Sequence, residues 1–270
     1  MRRTNPLRDK LKAGQPTMGT RLHSAWPTII ELVGHSEAFD YVEILAEYAP
    51  YDAFSLENQG RAIELFPHLS GLIKLPQEDR AHGAVRALNA GIQNIMFTDI
   101  RTVEEAKACI AHVKAESPRT GGRRGVGQGR DVGNVLEVGS PFYVESTANT
   151  VIAVMIEKKE AVENLEAILD LPEIDLVQFG GADYSMSLGL PGQRAHSQVT
   201  EAHDYTIATA LKKGKHPRAE IGHPDQAERY LNLGVRDFCM GTDIRTLFTF
   251  YKENGTRLKD LLASAGGGNG

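Results

Sequence analysis

The sequence is poor in cysteine, has no long apolar run and carries no excess of basic charge. Its 270 residues include two cysteines, Cys109 and Cys239, which lie far apart and lack the spacing of a zinc site. We therefore interpret both as small core residues of a protein from the reducing cytoplasm. Since no run of about 18 apolar residues is present and no apolar segment follows the basic N-terminus, we expect neither a membrane span nor a signal peptide.

The composition is otherwise that of an ordinary globular chain. Hydrophobic residues make up 41% of the sequence and charged residues 24%, so a chain of this length can bury a full core. The net charge is −5, which excludes the strongly basic field that nucleic acids and anionic membranes attract. We expect neither as a partner.

Short apolar runs that favour strands alternate with segments of helical character. Eight such runs occur, at Met18–Ser24, Tyr41–Glu47, Gly71–Pro76, Asn94–Ile100, Val151–Glu157, Asp175–Asp183, Pro217–Gly222 and Asp237–Asp243. Residues 101–116 and 159–171 place apolar side chains on one helical face, and residues 224–233 end at a helix-stopping glycine. This alternation predicts a (β/α)8 TIM barrel that fills residues 1–270 as one α/β domain, with an open doubly wound sheet as the alternative.

Three segments fall outside this alternation. We expect a short helix at Pro6–Ala13 and a flexible glycine-rich tail at about residues 264–270. Residues 116–149 are rich in glycine, with basic residues in the first half. No strand feeds a glycine-rich phosphate motif there, so the indication of a nucleotide site is weak. We expect instead a loop over the barrel mouth, where Arg123 or Arg124 meets an anionic ligand.

Two carboxylates end consecutive apolar runs. Glu157 ends the fifth run and Asp183 the sixth, and a helix joins them. Because the carboxyl ends of parallel strands meet at one end of a sheet, we expect both side chains to project there together. They could anchor a hard divalent cation that chelates a 2-oxo acid and stabilises its enolate. The alternative is that Glu157 starts a helix and Asp183 forms a turn.

Further polar residues lie at the ends of other runs. These are Arg21 and His23 in the first run, Glu47 and Tyr48 after the second strand, Lys74 in the third run, and His223 after the seventh. A lone histidine is more often structural than catalytic, so His23 and His223 are candidates only. A desolvated Lys74 could form a Schiff base, although such a lysine more often binds a carboxylate.

Several segments match a known family of enzymes. They include FDYVEILAEYAP, GLIKLPQED, IQNIMFTDIRTVEEA and RRGVG, and the most specific are VMIEKKEAVENLEAIL and VQFGGADYSMSLGLPGQ. On these motifs the chain resembles the HpcH/HpaI family of class II 2-oxo acid aldolases, with a more distant likeness to the citrate lyase β subunit. The resemblance implies a (β/α)8 barrel in which Glu157 and Asp183 bind Mg²⁺, Mn²⁺ or Co²⁺. It also implies that backbone amides around Gly181 and Ala182 hold the substrate carboxylate.

The resemblance further implies a homo-oligomer, from dimer to hexamer, that forms by exchange of the terminal helix. The apolar residues Leu247, Phe248 and Phe250 of that helix suit such an exchange. The same residues could instead dock on their own barrel.

The chain departs from the family pattern at three places. Family aldolases carry Asp-Gly-Glu-His after the second strand, with the histidine serving in proton transfer, whereas residues 45–48 read Leu-Ala-Glu-Tyr. In the family, an arginine of the third strand contacts the oxo acid. This chain has Lys74 at that position, which keeps one positive charge but cannot bind in a bidentate manner. The family usually has a glutamine two residues before the metal-binding glutamate, and this chain has Met155 at that position.

These departures suggest replacements for the missing groups. We expect Tyr48 to donate a hydrogen bond to a developing oxyanion, because a phenol is a poor base but a reasonable donor at neutral pH. We expect Arg21 or His23 to restore part of the missing charge or base, and Lys74 to contact the substrate.

Three functions fit the sequence. The first is a metal-dependent aldolase that cleaves or forms a carbon–carbon bond next to a 2-oxo acid, with a 2-oxo acid and an aldehyde as substrates. The second is a citrate-lyase-like cleavage of another hydroxy acid or a thioester, for which the loop Arg123–Arg130 is the local candidate to bind coenzyme A. The third, motivated by the missing His/Asp pair, is a non-catalytic scaffold that binds a small acid or a partner protein.

Overall fold

Eight parallel strands and the helices between them form a closed barrel. The structure is a computed structural model and describes residues 4–266. Within that part, the strands are β1 (Thr17–Leu22), β2 (Tyr41–Leu45), β3 (Ser70–Leu75), β4 (Asn94–Phe97), β5 (Ile152–Ile156), β6 (Leu176–Phe179), β7 (His216–Ile221) and β8 (Asp237–Thr242). The helices are α1 (Pro6–Lys12), α2 (Pro27–His35), α3 (Ala53–Glu64), α4 (Arg80–Asn89), α5 (Val103–Val113), α6 (Pro141–Ala148), α7 (Lys159–Glu163), α8 (Leu165–Leu169), α9 (Gly181–Ser187), α10 (Ser197–Lys212), α11 (Ala227–Asn232) and α12 (Asp243–Gly266).

The strands pair in the order of the sequence, and the last pairs with the first. All pairs are parallel, and β8 closes on β1 with Asp237 opposite Thr17. Each predicted run overlaps one observed strand. The predicted (β/α)8 TIM barrel is therefore confirmed, and the open sheet is wrong because none of these strands is left at an edge. That residues 1–270 form one domain stays a prediction.

The strands are buried on both faces, as parallel strands in such barrels are. All five residues of β5 are buried, and so are all five of β2. The outward side chains pack with the surrounding helices into one large core of isoleucine, leucine, valine and alanine. Such continuous apolar runs make the strands recognisable in the sequence.

Helix α1 closes the N-terminal end of the barrel. Leu7 and Leu11 are buried against interior residues of the strands. The Asn5 amide donates to the Asn94 side chain at 2.8 Å, and the Arg8 guanidinium lies 2.5 Å from the carboxylate of Asp175. The helix predicted at Pro6–Ala13 is thus confirmed, and it covers the end of the barrel opposite the C-terminal ends of the strands.

Three predicted segments differ from the structure. Residues 159–171 form two short helices, α7 and α8, which divide at Asn164, whose side-chain amide donates to the carbonyl of Arg101 at 3.0 Å. The segment 116–149 contains the helix α6, capped by Ser140. Helix α12 extends to Gly266, so residues 264–266 of the predicted flexible tail are helical. Residues 267–270 lie outside the described residues.

Among residues 4–266, none of the helices combines the length and the apolar character needed to cross a lipid bilayer.

Lys114 is a buried cation in the connection after α5. It is 6% exposed, and its ammonium donates to the carbonyls of Thr147 and Ala148 at 3.2 and 3.1 Å. Burial, together with the charge of Arg8, lowers the pKa of Lys114 to about 8. Because an unfolded lysine has a pKa of about 10.4, the unfolded chain binds more protons between these two values. This group therefore makes the fold less stable below about pH 8 than above pH 10.

We expect Lys114→Met to remove this part of the pH dependence. Between pH 7.5 and 10.5 the group should raise the free energy of unfolding by on the order of 3 kcal/mol in the unsubstituted protein. Urea unfolding of both proteins at several pH values measures the difference between their free energies of unfolding. The contributions of groups that titrate in both proteins cancel in this difference. The exposed Lys12→Met is the control and should keep the unsubstituted profile. An identical profile for Lys114→Met would contradict the assignment.

Candidate metal and substrate site

Five of the residues singled out in the sequence lie at the C-terminal ends of the strands. Glu157 follows β5, and Asp183 lies in the first turn of α9, directly after β6. Arg21 is near the end of β1, Lys74 near the end of β3, and Tyr48 in the turn after β2. Because the strands are parallel, these positions surround one mouth, at the end of the barrel away from α1.

Glu157 is a buried carboxylate whose surroundings disfavour its charge. It is 2% exposed, and burial raises the pKa of Glu157 to about 7. The backbone N–H of Asp99, which donates to Oε1 at 2.8 Å, and the Lys74 ammonium oppose that rise. The carboxylates of Asp99 and Asp183 add to it. A cation beside Glu157 would remove this electrostatic penalty.

The backbone at Asp99 and Gly180 is shaped around this carboxylate. Asp99 has a φ of 55°, a left-handed conformation uncommon outside glycine, while its N–H donates to Glu157. A Cβ at position 180 would lie 2.5 Å from Glu157 Oε2, so only glycine leaves room for the carboxylate there. The space at Gly180 is therefore part of the site.

Asp183 provides the second carboxylate and is more open. Its side chain is 34% exposed, and Lys158 Nζ lies 3.8 Å from Asp183 Oδ1 and 2.6 Å from Asp99 Oδ1. Among the described residues, no group of three or more His, Cys, Asp or Glu side chains is arranged to hold a metal. The two carboxylates fit an open site, in which a hard cation completes its coordination with water and substrate oxygens.

Lys74 lies at the centre of a polar cluster. Its Nζ is 2.5 Å from Glu47 Oε2 and donates to the Tyr48 hydroxyl at 3.0 Å. Burial by itself lowers the pKa of Lys74, but the Tyr48 hydroxyl and the Glu47 carboxylate outweigh it, so the pKa is raised. Lys74 is therefore a fixed ammonium, which suits contact with a substrate oxygen and argues against a Schiff base.

Tyr48 is a neutral phenol at physiological pH. Burial raises the pKa of Tyr48 to about 12, although the neighbouring Lys74 opposes the rise. The residue is 54% exposed, and the contact of its hydroxyl with Lys74 places the phenol at the mouth. These properties fit a hydrogen-bond donor and exclude a general base near neutral pH.

Arg21 and His23 occupy the β1 side of the mouth. Arg21 Nη1 lies 2.5 Å from Glu220 Oε1, and its Nε donates to the carbonyl of Gly241 at 3.2 Å. The backbone N–H of His23 donates to Asp243 Oδ1 at 2.9 Å. Arg21 is thus held in place as a cation, while a chemical role for His23 stays a prediction.

Gly181 and Ala182 begin α9 directly before Asp183. The first N–H groups of a helix have no acceptor inside the helix, so these amides are suited to an anionic ligand. Their predicted contact with a substrate carboxylate stays a prediction. His223, by contrast, accepts a hydrogen bond from the backbone of Asp225 and caps a short 3-10 turn.

Arg124 does not lie at this mouth. Its segment leads from α5 to β5, and connections from a helix to the next strand lie at the N-terminal end of the barrel. Arg124 Nη2 donates to Asp131 at 2.7 Å and to Asn89 at 2.8 Å, and the residue lines a cavity of about 760 Å³ together with Arg8 of α1. The structure contradicts both the predicted loop over the mouth and the predicted substrate contact of Arg124.

A set of polar residues beneath the mouth is not among those predicted from the sequence. Glu43 of β2, Gln178 of β6 and Arg218 of β7 are buried inside the barrel, and Glu220 of β7 is exposed at its rim. They contact one another and Arg21 through hydrogen bonds and ion pairs. The signal in the sequence is a charged or amide residue flanked by apolar residues within a strand, rather than a polar residue that follows one.

Comparisons with known proteins agree with this geometry. The family profile described as HpcH/HpaI aldolase/citrate lyase matches residues 22–247. A 4-hydroxy-2-oxo-heptane-1,7-dioate aldolase of Salmonella arizonae is 30% identical over 243 residues, which cover 90% of each chain.

Two solved structures are similar over nearly the whole chain. An HpcH/HpaI aldolase/citrate lyase family protein of Burkholderia cenocepacia has a TM-score of 0.86 and 26% identity, covering 95% of this chain and 100% of that one. An HpcH/HpaI aldolase of Desulfitobacterium hafniense has a TM-score of 0.84 and 26% identity, covering 94% of this chain and 96% of that one.

We expect Gly180→Ala to displace the Glu157 carboxylate. The added methyl group would lie 2.5 Å from Glu157 Oε2, so the affinity for Mn²⁺ should fall by about tenfold or more. Calorimetric titration of the metal-free protein with Mn²⁺ measures this affinity. Gly222→Ala, directly after β7, is the matched control because its Cβ would have no neighbour closer than 3.5 Å. Unchanged Mn²⁺ affinity in Gly180→Ala would rule out Glu157 as a ligand.

Proposed function

Because this chain belongs to the HpcH/HpaI aldolase/citrate lyase family, we propose that Glu157 and Asp183 hold a divalent cation at the barrel mouth and that this site acts on a 2-oxo acid. The observation that carries the proposal is the Glu157 carboxylate, buried against Gly180 and beside the charge of Asp183. A buried carboxylate next to a second one calls for an opposite charge.

Membership of the family confirms the predicted enzyme class, a metal-dependent carbon–carbon lyase of the aldolase type. It sets aside the non-catalytic scaffold. The identity of the cation is part of the proposal, which includes Mg²⁺, Mn²⁺ and Co²⁺ because each accepts carboxylate oxygens. When bound, such a cation polarises the carbonyl of the oxo acid and stabilises the negative charge that develops as the bond breaks or forms.

The neighbouring side chains then bind and orient the substrate. The Lys74 ammonium, fixed by Glu47 and Tyr48, offers one positive charge to an oxo-acid oxygen. The phenol of Tyr48 donates a hydrogen bond to an oxyanion at the mouth, and Arg21 supplies a second cation on the β1 side. The first amides of α9, at Gly181 and Ala182, receive the substrate carboxylate.

A pyruvate-like oxo acid and an aldehyde are the proposed reactants. The similar Salmonella enzyme is named for a 4-hydroxy-2-oxo acid, the class of compound that joins such a pair. A second candidate is the citrate-lyase-like reaction on another hydroxy acid, which the altered segment Leu45–Tyr48 favours because it lacks the family's His/Asp pair.

We expect the purified protein to exchange the methyl protons of pyruvate in D₂O. Proton NMR with added Mg²⁺ or Mn²⁺, compared with excess chelator, reports this exchange without knowledge of the aldehyde. Exchange should require the metal, and Asp183→Ala should reduce its rate by at least about a hundredfold, since one of two metal ligands is lost. Lys159→Ala, on the exposed surface of α7, is the control and should keep the exchange.

The possible outcomes separate the two reactions. Metal-dependent exchange that Asp183→Ala abolishes supports a pyruvate aldolase. Bound metal without exchange would shift the proposal to the citrate-lyase-like reaction on another donor. In the same assay, pyruvate exchange at full rate by Tyr48→Phe would show that the hydroxyl donates no hydrogen bond to the enolate.

We also propose that the protein is a homo-oligomer built through α12. Residues 244–265 are all exposed in the single chain, and they include Leu247, Phe248 and Phe250. The predicted alternative, docking of this helix on its own barrel, is therefore wrong. Exposed apolar surface of this extent calls for cover, and a second copy of the chain can supply it symmetrically.

Light scattering coupled to size-exclusion chromatography should show one defined oligomer. The double substitution Phe248→Asp and Leu262→Asp should dissociate it, because it places charges in the proposed contact. Lys259→Asp changes the charge of the same helix without touching these apolar residues and serves as the control. A monomeric unsubstituted protein would exclude the proposal.

A further inference from the structure

The interior of the barrel is divided into an apolar half and a polar half. On the side of β3 to β5, inward residues such as Leu72, Met96 and Met155 pack as an apolar cluster. On the side of β7, β8, β1 and β2, the interior contains Arg218 and Glu43, which are 3% and 0% exposed. The polar half is unusual, because the apolar half shows that apolar side chains can fill the interior of this barrel.

Arg218 is the centre of the polar half. Its guanidinium pairs with the carboxylate of Glu43, its Nη1 donates to the Tyr41 hydroxyl at 3.3 Å, and its Nε donates to Gln178 Oε1 at 2.7 Å. Glu43 Oε1 is buried with no hydrogen-bond partner. A buried ion pair is on average no more stable than apolar residues of the same volume, so stability alone does not account for this cluster.

Gln178 joins the buried pair to the mouth of the barrel. Its carbonyl oxygen accepts from both Nε and Nη2 of Arg218, so its amide nitrogen must face the other way. That nitrogen donates to Glu220 Oε2 at 3.1 Å. The orientation of the amide is thereby fixed, with its acceptor toward Arg218 and its donor toward a carboxylate.

Glu220, which accepts from Gln178, also forms an ion pair with Arg21. Its other oxygen, Oε1, lies 2.5 Å from Arg21 Nη1, while the carbonyl of Gly241 holds Arg21 Nε at 3.2 Å. The Arg21 guanidinium is therefore fixed from two sides at the mouth. Its side chain is 20% exposed, so part of it remains open to a ligand.

We propose that Gln178 is a positioning residue that joins the buried Arg218–Glu43 pair to Glu220 and so aims Arg21 at the oxygens of the bound oxo acid. The inference rests on the proposed function, because it assigns Arg21 to the same substrate. It accounts for a costly polar cluster beneath the mouth and gives the site a rigid guanidinium besides Lys74.

Two variants break the connection at different points. Gln178→Glu keeps an acceptor for Arg218 but places a carboxylate beside the carboxylate of Glu220. Glu220→Gln, at the rim of the barrel, removes the ion pair with Arg21. In metal-dependent pyruvate exchange, each should raise KM by roughly tenfold with kcat within about twofold, as expected when a charged hydrogen bond that binds substrate is lost. Mn²⁺ affinity, measured by titration without pyruvate, should not change because Glu157 and Asp183 are untouched.

A double-mutant cycle tests the route through Arg21. In the background of Arg21→Ala, Gln178→Glu should have no further effect on KM, because the residue acts only through Arg21. Additive effects, an unchanged KM in both single variants, or a loss of Mn²⁺ affinity would each overturn the proposal. Glu166→Gln, which breaks a surface ion pair with Lys213, is the control, and thermal melting verifies that every variant is folded.

Failure of the proposed function gives a different result. If the unsubstituted protein does not exchange the protons of a 2-oxo acid, the proposed function is wrong. A crystal structure of Gln178→Glu then still tests the positioning role. Arg21 displaced from Glu220 in that structure supports the role. Arg21 unmoved overturns it.

Discussion

The burial of one carboxylate determines much of the architecture at the barrel mouth. Glu157 is 2% exposed, and a charge in that position is costly unless compensated. The backbone at Asp99 adopts a left-handed conformation while donating to it, and position 180 has to be glycine to leave it space. Features far apart in the sequence thus depend on a single side chain.

Three cationic side chains at the mouth each form an ion pair with a carboxylate. Lys74 lies against Glu47, Arg21 against Glu220, and Lys158 against Asp99. Such pairing fixes the positions of flexible side chains and lowers the entropy lost when a substrate binds. It also limits the net positive charge that these groups offer, so a divalent ion, if held by Glu157 and Asp183 as proposed, would dominate the local field.

Much of this arrangement could be predicted from the sequence. The strands are continuous apolar runs, which local patterns reveal, and Glu157 and Asp183 stand at strand ends, where barrel sites are built. Arg124 is different, because chain order puts its segment between a helix and the next strand, at the other end of the barrel. Glycine-rich composition indicates a loop, but it does not indicate which end of the barrel the loop covers.

The polar interior could not be predicted in this way. Glu43 lies more than a hundred residues before Gln178 and Arg218, and only barrel closure brings β2, β6 and β7 around one interior. Each looks like an isolated polar residue in a strand, and local patterns do not show which polar residues share an interior. The division of residues 159–171 at Asn164 has a similar cause, since a tertiary hydrogen bond to the carbonyl of Arg101 overrides a continuous helical period.

Helix α1 gives the two ends of the barrel different roles. Leu7 and Leu11 pack against interior residues of the strands, so the N-terminal end belongs to the hydrophobic core. The candidate site lies at the opposite end, where the connections that follow the strands meet. Residues that maintain the fold are thereby separated from residues that can change the chemistry, so the mouth can diverge in sequence while the barrel stays stable.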